Sequence, residues 1–351
     1  MKRLPTLLLC LYGSLSSLWA QPEVTPVQPG RTPEGAVYFL PKTAIRFHLL
    51  IERQTYTPGT FARYADRYMH MQGISTEKQV THSIANFEVS TVGIRDTAKC
   101  FSVVLKGKSK AADIRLSDDG ILLAVNAEPV QQATRKPFRP ARKSRETDPL
   151  ELLSPDALKA GSIAKVAELT AQQILELQEA RQQLVTGEAD NMPQDEQQLR
   201  LMLSEIDTKA NALKSLFTGS IRRDTTEHVL TVCPDQEMER EVVFRLSKQL
   251  GLVDADDLAG VPFYLTLKRK DQATLPMPEN KKRDGFYTNM PTLAELTLSQ
   301  ENTPIGNFEV PLAQFGFVEL REGSLFKQNN TQMQLHPATG AVITLHTDTD
   351  K

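Results

Sequence analysis

The residues best suited to chemistry are scattered rather than grouped. His48, His70, His82, His228, His336 and His346 show no H-E-x-x-H or other ligand spacing, so no zinc-type site is legible. Ser75 to Lys78 and Ser162 to Lys165 match S-x-x-K, the spacing of an acyl-enzyme serine and its lysine. Neither is accompanied by S-D-N or K-T-G, and in a chain with this many serines and lysines one or two such matches arise by chance. There is no G-x-S-x-G and no glycine loop that would cradle a phosphate. Asp254, Asp256 and Asp257 offer three carboxylates, but Leu258 and Ala259 break the alternating oxygen ligands that a calcium loop needs, so a polar turn is the expected structure. The sequence therefore assigns no catalytic residue, no cofactor and no metal.

The amino terminus says more. Lys2 and Arg3 precede an apolar run from Leu4 to Leu18, and Ser-Leu-Trp-Ala precedes Gln21. This is the layout of a secretory signal over residues 1–20, with cleavage after Ala20. The run lasts about 15 residues, short of the roughly 20 that a spanning helix needs. Cys10 lies in its middle and not behind small residues at its end, which argues against lipid attachment. No later segment is long and apolar enough to span a bilayer, so the mature chain is expected to carry no transmembrane segment.

The 351 residues carry 41 Lys and Arg against 43 Asp and Glu, a formal charge of -2. That gives no field for nucleic acid, which the expected compartment lacks in any case. Trp19, the single tryptophan, lies inside the signal, which weakens a sugar-platform reading. Cys100 and Cys233 remain after cleavage in an oxidising compartment. A bridge and two separate thiols both fit, and the apolar strand-like context of each favours unpaired thiols.

The elements that must position any site fall into four parts after the signal. Residues 21–130 form an N-terminal β-rich region. Ile45, Phe47, Leu49 and Ile51 alternate with flanking residues at the period of a half-buried strand. Further strands are predicted at 83–92, 100–105 and 121–125. Between them Thr60 is placed to cap a short helix whose Phe61, Tyr64, Ala65, Tyr68 and Met69 share one face, read as core packing and not as a binding stripe.

Residues 131–153 form a linker with three prolines in its RKPFRPARKSRETDPLELL stretch, and six basic residues without an acid between Arg135 and Arg145. A solvated connector is the expected role; contact with anionic lipid or glycan is the alternative.

Residues 154–219 read as a long antiparallel helical hairpin of coiled-coil type. Ser154-Pro155-Asp156 starts the first helix, whose seam is Ile163, Ala167, Thr170, Ile174, Leu177 and Leu184, ending at Gly187. After Asn191-Met192-Pro193 the second carries Leu199, Leu203, Ile206, Ala210, Leu213 and Phe217, ending at Gly219. Residues 220–351 form a C-terminal β-rich region with strands predicted at 227–233, 242–246, 263–267, 293–298, 308–310, 315–320 and 341–345.

The two β regions echo each other. Tyr38, Pro41 and Ala44 recur as Tyr287, Pro291 and Ala294; Thr57-Pro58-Gly59 with Phe61 as Thr303-Pro304 and Gly306 with Phe308; and the Gly120 turn as Gly340. Internal duplication with a helical insert and chance recurrence of turn residues both remain open. The fold class is α+β: two β-rich, sandwich-like regions with an inserted hairpin.

Residues 35–69 (GAVYFLPKTAIRFHLLIERQTYTPGTFARYADRYM), LVTGEADNMP between the helices, LKSLFTG at the hairpin end, and the later VVFRLS, GLVDADDLAG and PLAQFG segments resemble a family of exported Bacteroides-type proteins known only as a domain of unknown function. The resemblance spans nearly the whole mature chain with its motifs in order. It implies a Gram-negative exported protein, in the periplasm or at the cell surface, and brings no activity, substrate or site residue with it.

The expected function is a binding or structural component of the cell envelope rather than an enzyme. The hairpin would contact a protein or another envelope component, or a second copy of the chain. An envelope hydrolase with a site assembled only by the fold, and a glycan-binding accessory protein, are the alternatives.

Overall fold

The computed structural model describes residues 21–28, 32–106, 113–131, 135–140, 148–193, 195–270, 283–326 and 331–347. The expected export signal with Cys10, and residues 132–134 and 141–147 of the basic linker, lie outside them. The structure is β-rich, with few helices and two sheets. In chain order the strands are β1 (Gln21–Pro26), β2 (Ala36–Thr57), β3 (Gln79–Lys106), β4 (Ile114–Leu116), β5 (Leu122–Val125), β6 (Ser220–Val232), β7 (Met238–Ser247), β8 (Gly251–Val253), β9 (Val261–Arg269), β10 (Arg283–Gln300), β11 (Thr303–Glu322), β12 (Thr331–Leu335) and β13 (Val342–Thr347). The helices are α1 (Ala65–Met69), α2 (Pro155–Leu158), α3 (Ile163–Thr186) and α4 (Glu196–Thr218).

Strands from both β-rich regions meet in one nine-stranded sheet of order β6-β2-β3-β1-β10-β9-β7-β8, with β11 on β10. The other sheet has four strands in the order β13-β12-β5-β4. Two pairs of separately predicted strands are continuous: 83–92 with 100–105 in β3, and 308–310 with 315–320 in β11. Their apolar patterns break at local irregularities, not at chain turns. In β3 the pairing to β2 jumps from Pro41↔Arg95 to Phe39↔Cys100, leaving 96–99 as an excursion. In β10 the register shifts between Met290 and Thr292. Pro41 and Pro291 both stand at such shifts, where a missing N–H costs the ladder nothing.

These bends let single strands serve two cores. Past the shift, Ile45, Phe47, Leu49 and Ile51 of β2 bury with Phe263, Leu265 and Leu267 of β9 and Ala294, Leu296 and Leu298 of β10. Since β2 and β9 are far apart in the strand order, the large sheet curls over on itself. Before the shift, Tyr38 and Leu40 bury with Phe101, Val103, Phe286 and Tyr287, and with Leu122, Val125, Met333 and Leu335 of the small sheet.

A third core belongs to the helices. Ala167, Ala171 and Ile174 of α3 meet Leu213, Leu216 and Phe217 of α4, together with Phe61 and Ala65; Tyr64, Tyr68, Met69, Met71, Ile74, Leu152 and Leu153 complete the cluster. None of these residues lies in a strand. The apolar face at 61–69 is thus core, as its spacing implied, though it forms a 3-10 turn followed by α1, and no side chain caps either. Near the far end Arg181 pairs with Asp207 at 2.7 Å, which with the basal contacts fixes an antiparallel return.

The first predicted helix is in fact two. Ser154 caps α2 by accepting from the Ala157 N–H, but α2 stops after one turn, and α3 begins anew from Ser162, whose hydroxyl accepts from the Lys165 N–H. Gly161, a poor helix former, lies between them, and Ser162 offers a better cap than an interior position. Ile163 consequently falls in an exposed first turn and leaves the seam. Gly187 ends α3 in the left-handed conformation, φ 79°, the ordinary role of glycine at a helix end.

Candidate functional site

Most of the chemistry-bearing residues turn out to serve local structure. The Ser75 hydroxyl bonds within its own turn, donating to the Glu77 carbonyl at 3.1 Å, and Ser162 is a helix cap, so neither S-x-x-K match builds a nucleophile. Asp257 accepts from the Ala259 N–H at 2.9 Å, and the Asp257 N–H donates to the Asp254 carbonyl, forming the expected polar turn. Among the described residues no three metal-ligating side chains come together. Cys100 and Cys233 are both free, and burial pushes both thiols up.

Three arrangements stand out, each assembled by sheet order and invisible to spacing. The first is a buried polar junction between the two β cores. Asn289 donates from Nδ2 to the carbonyls of Pro41 (2.9 Å) and Thr339 (2.8 Å), and its Oδ1 accepts from Lys99 Nζ at 3.2 Å. Two carbonyl partners fix which end of the amide faces them. Thr43 donates to the Ala338 carbonyl at 3.0 Å and accepts from the Ala313 N–H at 3.1 Å. Lys99 and Asp96 enter this interior because the 96–99 excursion turns them inward; both are buried, and burial lowers the Lys99 pKa against the opposing pull of Asp96. The network holds the bent strands and the 336–340 turn in one arrangement.

His336 closes that turn. Its Nδ1 accepts from the Ala338 N–H at 3.2 Å, and burial holds its pKa below the ordinary value. A histidine with a depressed folded pKa takes up protons more readily unfolded, so its contribution is full above about 6.5 and lost as pH falls from there toward the folded value. We expect the denaturation midpoint to drop on acidification through this window, and His336→Asn to flatten that part of the curve. Parallel curves for the two chains would contradict it.

The second arrangement lies on the outer face of the large sheet. Cross-strand pairs Arg46↔Ser90 and His48↔Glu88 (β2 with β3), and His48↔Val229 and Leu50↔Glu227 (β2 with β6), place Ser90 and Glu227 diagonally on either side of His48. Ser90 Oγ is 3.0 Å from His48 Nε2, and His48 Nδ1 is 3.3 Å from Glu227 Oε1. Glu227 also accepts from the Phe138 N–H at 3.2 Å and pairs with Arg135, which reaches Glu88 at 2.6 Å. The Phe138 N–H, aided by Arg135, lowers the Glu227 pKa and keeps the carboxylate ionised. Residues 135–138 of the linker are therefore pinned to the sheet by a cation between two carboxylates.

The third is a cavity of about 760 Å³ at the root of the hairpin. Pro58, Leu150, Leu152, Ala212 and Leu216 give it apolar walls, and Glu205, Thr208, Lys209 and Asn211 of α4 give it a polar rim. Gly59 and Gly219 let the chain approach closely here: a Cβ on Gly59 would meet the Leu216 carbonyl oxygen at 2.2 Å, and one on Gly219 the Thr57 oxygen at 2.5 Å.

A curled sheet packed against a small one, bearing a helical module that keeps its own core, defines a β-rich α+β protein. The chain belongs to the family described as a domain of unknown function, DUF4831, whose model matches residues 34–343 and so includes both β regions and the hairpin. No curated protein and no solved structure matches the chain. Among the described residues no helix is long and apolar enough to cross a membrane.

Proposed function

We propose that this is an exported cell-envelope protein of a Gram-negative, Bacteroides-type bacterium, periplasmic or at the cell surface, that binds a protein or another envelope component through its helical module. The separate core of that module is the observation that carries the reading: elements needed only for folding bury themselves against the main body, and this one does not. Its outer surface keeps large apolar side chains in water, among them Leu175, Val185, Met192 and Leu201. With Arg181 opposite Asp207, Val185 and Leu201 fall near one another toward the tip, and Met192 lies in the connection. Self-association through the same coiled-coil-like surface is included in the proposal.

In the export reading the mature chain begins with β1, whose Gln21 pairs with Lys106 of β3. A glycan platform has less support. Among the described residues Tyr38 and Tyr287 are buried, Tyr64 and Tyr68 pack in the module, and Tyr264 lies under Arg240. We further propose that the two β regions descend from a duplication. Phe39 and Asn289, each two residues before a shifted proline, donate their N–H groups to the carbonyls of the matching turn glycines, Gly120 and Gly340. The Thr57 to Phe61 echo does not extend this, since that segment leaves the sheet while Thr303 to Phe308 lies within β11.

The test is to cross-link the native chain and a Val185→Glu, Leu201→Glu double variant in envelope extracts. An intact melting transition with a specific adduct lost in the variant supports the proposal. The same adducts on both chains would overturn it.

A further inference from the structure

We propose that Ser90, His48 and Glu227 form a serine acyl-transfer site for carboxylic esters, an activity separate from binding by the helical module. A serine hydroxyl is a weak nucleophile until a base takes its proton, and an imidazole serves only when its other nitrogen is held in the right tautomer. Here Ser90 Oγ lies 3.0 Å from His48 Nε2, while Glu227 faces Nδ1 from the opposite side at 3.3 Å. A carboxylate toward Nδ1 favours the proton there, which leaves Nε2 free to accept from the serine.

The supporting groups point the same way. Glu227 is kept ionised and fixed by the Phe138 N–H and Arg135. His48 is largely buried between three rigid strands, whereas Ser90 is only half-buried and can meet a substrate from solvent. Arg46, the direct cross-strand partner of Ser90, is exposed and makes no ion pair or hydrogen bond among the described residues. Its guanidinium is the cation placed to steady an oxyanion formed at Ser90. His48 Nδ1 is within ion-pair distance of Glu227 but not aligned for a hydrogen bond, so a small rotation of the ring or carboxylate must close the relay when substrate binds.

In the reaction, Ser90 Oγ attacks the ester carbonyl carbon as its proton passes to His48 Nε2. The tetrahedral species collapses by breaking the bond to the leaving alcohol oxygen, which takes that proton from His48. Water then attacks the acyl-serine, giving one proton to His48; the acyl carbon releases Ser90 Oγ, which recovers the proton. The net change is ester plus water to acid plus alcohol.

The experiment uses the full secreted chain with a fluorophosphonate probe, read by peptide mapping, and p-nitrophenyl acetate as a turnover substrate. The expected adduct is on Ser90 and is absent in Ser90→Ala. Glu227→Gln, which keeps size and shape, and His48→Gln should slow labelling and turnover by on the order of 10²- to 10⁴-fold, whereas Ser83→Ala on the same strand changes neither. An unlabelled Ser90 in the folded chain, or a Glu227→Gln chain labelled at the native rate, would overturn the proposal.

Discussion

Replacing Asn289 with alanine is expected to remove about 3–5 kcal/mol of stability, a large part of the 5–15 kcal/mol that a folded domain typically holds. The substitution deletes little volume, so the loss comes from what it strands. The carbonyls of Pro41 and Thr339 each lose a buried donor, and the Lys99 ammonium loses its acceptor. Each orphaned group costs about 1–3 kcal/mol where water cannot replace the partner, and a buried cation costs more than a neutral amide. Asn289→Asp tests the mechanism, because it restores an acceptor for Lys99 yet cannot donate to the two carbonyls. It should remain well below the native protein. The measurement is the denaturant midpoint at unchanged slope. A loss under about 1 kcal/mol would mean that water enters the junction and that the network is not the clamp between the two cores.

Phe217→Ala should cost a similar amount, about 3–5 kcal/mol, but in a different place. Phe217 is fully buried, with its ring centroid 5.5 Å from that of Phe61, at the centre of the only core that contains no strand residue among those described. Hydrogen exchange should therefore accelerate by roughly a hundredfold or more in α3, α4 and α1, while amides of β2, β9 and β10 keep their protection. Phe47→Ala, in the β core beneath the curled sheet, should instead lower protection throughout the body. If Phe217→Ala loosens the strands as much as the helices, the module is cooperative with the body and not separate from it.

What was legible in the sequence is whatever a local period can carry. The alternation at Ile45, Phe47, Leu49 and Ile51 gave the inward face of β2, and Ala167, Thr170, Ile174, Leu213 and Phe217 gave the buried seam of the hairpin. Gly187 and Ser154 marked real helix ends because their effects act within one turn. The break at Gly161 was hidden by an apolar pattern that continues across it. β1 and β12 were missed since QPEVTP and TQMQL are short and polar, and their burial comes from neighbours far along the chain. Neither Lys99 nor the Ser90, His48 and Glu227 diagonal could be found by spacing. Lys99 is carried inward by a four-residue excursion at 96–99, and the diagonal exists only because β3 and β6 both pair with β2.

On the proposed function, the β body does not need the helices for folding but does need them for association. The most direct test replaces residues 156–218 by a short Gly/Ser linker and follows both properties in one preparation. The expected result is a cooperative unfolding transition of the remaining strands and loss of the envelope adduct. A chain whose strands no longer fold without the hairpin, or one that folds and keeps the adduct, would contradict it.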